Sequence, residues 1–404
     1  MDDNLKQALK EYLGKQKTTK GISDALHELF KESVQEMLKA ELDEHLGYEK
    51  HSSNSSEFSN SRNGTTRKTV KSKFGATDIE VPRDREGSFE PQLIPKRKRV
   101  MDDIEDHVLS LYSHGLSTRD IESHIKELYG IDMSEATISH ITDRIIEHIE
   151  QWKARKLDQV YMIVWMDAIV LKVRQDGKII DKAIQIAVGL NNQGYKEILG
   201  MWICQNESAS FWMSVLTNIK SRGVEDILIT STDNLKGFTD AIKAVYPEAR
   251  TQICIVHQLR NSLKFVVWKD KKSVAQALKL VYDAPDQEIA LAKLKTFEET
   301  WGKKYPFIGQ SWRANWDRLT IFLDFPLEIR KIIYTTNIIE NINRIIRKYT
   351  KNKTMLPNDI AAEKAVYLAL MQVSKKWTMV QRDWPIMLLQ FINIFGQEKC
   401  RIKI

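Results

Sequence analysis

The chain has 404 residues, room for roughly two to four domains, and its 42% hydrophobic content is enough for packed cores. A formal net charge of +7 and a pI near 9.0 favour a polyanionic partner, without choosing among nucleic acid, ribosome and acidic membrane. The opening Met-Asp-Asp-Asn-Leu-Lys carries no basic n-region or apolar h-region, and no apolar run approaches the ~20 residues that span a bilayer. Cys204, Cys254 and Cys400 are too few and too scattered for a disulfide framework. The expectation is a soluble cytoplasmic protein with no membrane partner.

Residues 1–50 read as helix, because Ala25, Leu26, Leu29, Phe30, Val34, Met37, Leu38 and Leu42 recur at spacings of three and four. The first fifteen residues read as a short separate helix or a frayed arm. The Ser/Asn-rich stretch from His51 to Gly64 has linker chemistry. The period then changes to two. Residues 65–82 predict a β-hairpin turning at Gly75-Ala76, with Val70, Ile79 and Val81 alternating against polar neighbours. Residues 51–100 hold 11 Lys/Arg against 6 Asp/Glu, and the run Lys96, Arg97, Lys98, Arg99 concentrates that charge. A solvated linker would look the same. Its position just before the next motif favours DNA-backbone contacts by Arg97, Lys98 and Arg99.

Residues 102–151 predict three helices. Ser117 is a helix N-cap, Gly130 a stop, and Ser134 the next N-cap, ahead of Ala136, Ile138, Ile141, Ile145, Ile146 and Ile149. That spacing is a helix-turn-helix pattern. It would bring Glu135, Thr137 and Ser139 to base edges, with Arg119 a further DNA contact. Hairpins that merely pack share the pattern.

From residue 160 the chain becomes α/β. Strands are predicted at 161–173, 179–190, 197–203, 226–230 and 251–256, with helices at 211–221 and 236–246. Three antiparallel strands, a helix and two strand–helix steps form a ribonuclease-H-like signature. Helical patterns and a Trp/Arg-rich stretch at 301–318 follow, then helices to the end.

Asp167 and Asp233 each close an apolar run, and Glu340 lies on a later amphipathic helix capped by Thr335-Thr336-Asn337. In the expected sheet the first and fourth strands are neighbours, so the two aspartates would lie side by side. A metal pair relieves their repulsion and clamps attacking and leaving oxygens of a phosphodiester. At about 100° per residue, Glu340, Arg344, Arg347 and Lys351 share one face of their helix, opposite Ile338, Ile339, Ile342, Ile345, Ile346 and Tyr349. A solvated face of Glu–Arg pairs reads the same way. Cys254 and His257 have half the spacing of a zinc site, but no second Cys/His pair lies near in sequence, which argues against structural zinc. A supporting role beside the acids fits Cys254, His257 and Asn261, and Arg260 could meet phosphate. Trp268, Trp301, Trp312 and Trp316 read as packing of a helical subdomain or as a platform for an unpaired base.

Several motifs together resemble the mutator-type transposases of bacterial insertion sequences, nearly end to end. They include Glu41 to Glu49, Ser61 to Gly64, Val81 to Arg85, Phe89 to Gln92 and Leu116 to Ile121. The core motifs are Phe211-Trp212, Arg222-Gly223, Thr232 to Gly237, Cys254 to Asn261 and Thr335 to Asn343. The resemblance implies a DDE triad of Asp167, Asp233 and Glu340 on a ribonuclease-H-like fold. It also implies Mg²⁺ as cofactor, with Mn²⁺ able to substitute. Many relatives carry Gly where this chain has Asn234, a residue that tolerates left-handed backbone.

The implied reaction cuts double-stranded DNA at terminal inverted repeats. It frees a 3′-hydroxyl and joins it to target DNA, with no covalent protein intermediate. Holding two ends calls for a homodimer or larger assembly, nucleoid-associated when bound. A domesticated, catalytically silent DNA-binding regulator and a structure-selective nuclease are the alternatives.

The expected fold is multidomain α+β. An N-terminal helical region and linker (1–60), a basic hairpin segment (61–100) and a helix-turn-helix domain (101–152) precede a ribonuclease-H-like core. The core (153–265) is interrupted by an all-helical insertion (266–330) and resumes at 331–404 with the Glu340 helix.

Overall fold

The computed structural model describes residues 11–12, 14–16, 18–51, 59–96, 98–205, 208–234, 237–334, 337–351, 353 and 355–402. Of the first fifteen residues, read as a short helix or an arm, 1–10 and 13 fall outside them, as do residues 52–58 of the 51–64 linker and the Thr335-Thr336 cap, whereas 62–64 of that linker belong to the first strand. The protein is a mixed α+β chain in two compact units, residues 1–144 and 145–404.

In the first unit, α1 (Thr19–Leu46) starts where the Thr18 side chain accepts a hydrogen bond from the Gly21 amide. Val34, Leu38, Leu42 and Leu46 are buried, whereas Leu26 and Met37 of the expected stripe point to solvent. β1 (Arg62–Ser72) and β2 (Gly75–Asp84) form an antiparallel hairpin. Ser72 pairs with Gly75, so the turn is Lys73-Phe74, two residues before the expected Gly75-Ala76. Val70, Ile79 and Val81 pack on Val34, Leu38 and Ile94. Buried Asp84 accepts hydrogen bonds from Asn60, from the Ser88 amide and hydroxyl, and from the Phe89 amide, which anchors the chain leaving β2. Burial opposes the charge on Asp84, but these bonds outweigh it and hold the carboxyl well below its usual range.

Three helices follow: α2 (Asp102–Ser113), α3 (Thr118–Tyr129) and α4 (Glu135–Ala154). Ser117 and Asp120 make a reciprocal capping box, and Gly130 ends α3 in left-handed backbone. The Ser134 hydroxyl accepts from the Thr137 amide at 3.2 Å and starts α4.

The second unit is built on β3 (Val160–Gln175), β4 (Lys178–Asn191), β5 (Lys196–Cys204), β6 (Asp226–Thr232) and β7 (Arg250–Ile253). Their spatial order is β5-β4-β3-β6-β7: the first three are antiparallel, and β6 and β7 run parallel to β3. Asp176 and Gly177, at φ 50° and 75°, make the tight β3–β4 turn. Helices α5 (Ala209–Ser221) and α6 (Phe238–Val245) cover one face, where Trp212, Leu216, Ile219, Phe238 and Ile242 pack on Tyr161, Val164 and Met166. An irregularity in β3 between Tyr161 and Ile163 sets the phase. Val164 and Met166 therefore face that core, and Asp167 faces away.

β7 is shorter than expected. The sequence reading extends it to Val256, but Cys254 is an N-cap and α7 runs Ile255–Leu263. β-branched Ile255 and Val256 give a strand signal that tertiary context overrides. α8 (Trp268–Tyr282), α9 (Gln287–Trp301), α10 (Pro306–Ala314), α11 (Trp316–Leu319), a 3₁₀ turn (Ile321–Asp324) and α12 (Leu327–Tyr334) follow. Buried Gln252 of β7 anchors this array, donating to the Leu319 carbonyl and accepting from the Phe322 amide, each at 2.8 Å. Trp312 is buried and donates to Ser262, whereas Trp268 is 87% exposed, so packing accounts for the first and not the second.

α13 (Asn337–Thr350) and α14 (Asp359–Ser374) pack on the sheet, and α15 (Trp384–Phe395) and α16 (Gln397–Cys400) complete the chain. Leu356, between α13 and α14, makes a parallel bridge to the far end of β3. Among the described residues no helix is long and apolar enough to cross a membrane.

Candidate active site

The parallel register of β3 and β6 ends at Met166–Thr232, and the residue that follows each in the chain is an aspartate. Adjacent strands lie about 4.8 Å apart, so Asp167 and Asp233 are neighbours by construction. β3 continues past this point against β4, with Asp167 opposite Ile186. Asp167 therefore sits within its strand, at the point where the strand outruns β6. β7 ends beside them, with the Cys254 amide bonded to the Thr232 carbonyl at 2.8 Å. The carboxyl ends of β6 and β7 thus open beside the middle of β3, close to the common ligand position in such sheets.

In the first turn of α7, His257 enters the same place. Single oxygens of Asp167 and Asp233 and a ring nitrogen of His257 lie within 4.8 Å of one another, all three residues half-buried. His257 Nδ1 forms an ion pair with Asp233. Burial works against the imidazolium, but hydrogen bonding to Asp233 and Cys254 prevails and pushes its pKa up to about 10. Asp167 is pushed above the usual carboxylate range by burial and by the charge of Asp233. The charge of His257, the Ala168 amide and the Asn343 amide group offset part of that rise. The sequence reading gives His257 a supporting place; the structure puts it in direct contact with Asp233.

Glu340 is on α13, outside this cluster, and pairs with Arg260 of α7. One turn later on α13, buried Asn343 donates from Nδ2 to Asp167 Oδ2 at 3.0 Å. Its Oδ1 is buried and has no hydrogen-bond partner among the described residues. In the sequence Asn343 closes the motif that begins at Thr335, with no role assigned to it. The available signal is a polar residue at the edge of the buried stripe Ile339, Ile342 and Ile346. Arg344, Arg347 and Lys351 are exposed as phased, and Arg344 bonds to Asn341 at 2.9 Å. Cys254 is buried, and Asn261 is exposed at the far end of α7.

Two half-buried carboxylates, one of them pushed up by burial and then by its neighbour's charge, are hard oxygen donors suited to a divalent cation. Asn234, beside Asp233, does not use left-handed backbone; its Nδ2 donates to Asn315 Oδ1 at 3.0 Å.

The nucleic-acid candidates of the first unit are distributed differently. Arg97 lies outside the described residues. Lys98 pairs with Asp102, and Arg99 is exposed. Arg119 pairs with Glu135 at 3.3 Å, which joins α3 to α4. Thr137 shares a hydrogen bond with Ser134, and Ser139 is exposed.

The family model described as "Transposase, Mutator family" matches residues 3–380. A probable transposase for insertion sequence element ISRM3-like from Sinorhizobium fredii is 43% identical over 378 residues, covering 93% of this chain and 94% of its own. The transposase for insertion sequence element ISRM3 of Rhizobium meliloti is 42% identical with the same coverage. That for IS905 of Lactococcus lactis subsp. lactis is 34% identical, covering 84% of this chain and 87% of its own. A chain in a cryo-EM structure of the simian T-cell lymphotropic virus intasome with PP2A regulatory subunit B56 gamma is 14% identical. It covers 48% of this chain and 67% of its own at a TM-score of 0.19, too low to bear on fold or function. With nearly its whole length matched by one family model and relatives above 40% identity, the chain belongs to the Mutator family of transposases.

Proposed function

We propose that the protein is a DDE transposase that binds the terminal inverted repeats of an insertion sequence, cleaves DNA there and joins the freed 3′-hydroxyl to target DNA. The observation that carries this reading is the side-by-side position of Asp167 and Asp233 at the end of the β3–β6 register. The β5-β4-β3-β6-β7 order supports a ribonuclease-H-like core, with α8 to α12 as its helical insertion. Helices α3 and α4, joined by the turn from Gly130 to Ser134, support a helix-turn-helix that enters a major groove.

Asp167 and Asp233 would hold Mg²⁺, with Mn²⁺ able to substitute, and Glu340 would complete the set on release from Arg260. When bound, such ions activate water and stabilise the leaving oxygen of an in-line displacement. Asn343 fixes the rotamer of Asp167. His257 holds a proton at Nδ1 against Asp233, so the cluster keeps a cation among its acids before metal arrives. Arg344, Arg347 and Lys351 offer phosphate contacts along α13. Concerted work on two ends calls for at least a dimer.

The decisive experiment incubates the protein with labelled terminal repeats in Mg²⁺ or Mn²⁺. Nicked and joined products are expected from the native chain. Asp167→Ala, Asp233→Ala and Glu340→Ala should give neither while still binding the ends; full activity in any of the three sinks the assignment. One observation favours a second reading. The ion pairs on Asp233 and Glu340 are what a metal-free DNA-binding regulator would keep. End binding with no product in either metal would select it.

A further inference from the structure

The first unit contains a hollow of about 410 Å³ between the β1–β2 hairpin and the chain that leaves β2. Val81, Pro82, Phe89 and Pro91 supply an apolar floor, and Lys68, Arg83, Lys96 and Arg99 bring four cations to it. Two other charged residues line it but are already engaged. Arg67 pairs with Asp78 at 2.6 Å, and the Asp84 carboxylate is taken up by Asn60, Ser88 and Phe89. None of the four cations has a carboxylate partner among the described residues. Lys68 Nζ donates to the Pro95 and Lys96 carbonyls at 2.7 and 3.2 Å, and Lys96 Nζ to the Gly87 carbonyl at 3.1 Å. Carbonyls orient an ammonium group but do not neutralise it. Burial, and then the charge of Arg99, lower the proton affinity of Lys68. These four cations outnumber Asp84, the one carboxylate of the lining, and a bound anion relieves their mutual repulsion.

The floor and the size narrow the anion. Contacts to a duplex backbone need neither a hollow nor apolar lining. Inorganic phosphate would fill only a small part of 410 Å³. A planar base and its sugar match an apolar floor of this size. We propose that the hollow binds a nucleoside phosphate, with the phosphate on Arg83, Lys96 and Arg99 and the base and sugar on Val81, Pro82, Phe89 and Pro91. The ligand is either a free nucleotide or one nucleotide of a DNA strand. The site lies wholly within the first unit and needs neither the acidic cluster nor strand joining.

The test uses the full chain in EDTA, titrated with deoxyadenosine 5′-monophosphate, deoxyadenosine and inorganic phosphate in turn. The expected result is saturable binding of the nucleotide, about tenfold or more tighter than either fragment. Thr66→Trp fills the hollow from an exposed position of β1, and Arg83→Ala removes an exposed cation. Each should weaken the nucleotide about tenfold or more with an unchanged melting temperature. A 5′-phosphorylated duplex with a frayed end is then offered as competitor. Mutual displacement identifies a strand nucleotide, and nucleotide binding without displacement identifies a free one; both sustain the proposal. No saturable nucleotide binding, equal binding of inorganic phosphate, or indifference to Thr66→Trp overturns it. Nucleotide binding that persists in a protein unable to nick or join in Mg²⁺ would leave this site standing and remove the strand-transfer reading alone.

Discussion

Asn343 Nδ2 donates to Asp167 Oδ2, and this 3.0 Å bond ties the helix carrying Glu340 to the strand carrying the first acid. Asn343→Ala should leave Asp167 free to turn. Nicking of terminal-repeat DNA should fall about 100-fold, the scale of a 1 Å misplacement. The stability cost should be about 1–3 kcal/mol. A raised Mg²⁺ requirement would separate orientation from simple loss of fold; an unchanged metal titration would remove Asn343 from the site.

Arg260 and Glu340 form an ion pair open to solvent, with side chains 58% and 39% exposed. Arg260→Ala should therefore change stability by no more than about 1 kcal/mol. It frees Glu340 from a competing cation. The Mg²⁺ concentration for half-maximal nicking should drop several-fold, read from titrations of mutant and parent side by side. A higher requirement would mean that Arg260 supports the metal-bound state.

His257 stands at a pKa of about 10 against an ordinary value of 6.5. A group raised on folding stabilises the native state fully below its unfolded pKa, and that contribution is lost as pH rises through the folded one. In EDTA, the melting temperature of the native chain should fall between pH 6.5 and 10 more steeply than that of His257→Asn. Parallel curves would show that the imidazolium contributes nothing there.

Gly189 of β4 faces the ring of Tyr161, and a Cβ at Gly189 would come within 2.4 Å of it. Tyr161 is fully buried and bonded to Glu197, so it cannot yield. Gly189→Ala should destabilise the protein by about 1–3 kcal/mol, measured by denaturant titration. A neutral result would mean that β4 can shift against β3.

The two aspartates are legible in the sequence because each follows an apolar run too short for a buried helix and bounded by polar residues. Parallel pairing then brings them together with no further information. His257 is harder to read. Ile255 and Val256 prolong the apparent strand, which hides a helix whose first turn aims the imidazole at Asp233. Glu340 and Asn343 share one amphipathic helix, and phasing alone separates its buried stripe from its basic face. What phasing cannot supply is which strand the helix meets, because that depends on the path of α8 to α12. The hollow beside Arg83 and Arg99 is likewise invisible in the basic run. It arises only when the chain after Asp84 folds back on the hairpin.

Asp167 and Asn343 are 176 residues apart. During synthesis at about 5–20 residues per second, β3 leaves the ribosome well before α13 exists. For that interval the growing chain carries its first acid without the side chain that orients it. The distance in sequence therefore acts as a delay: an unfinished chain lacks the bond that holds Asp167 against the later helix.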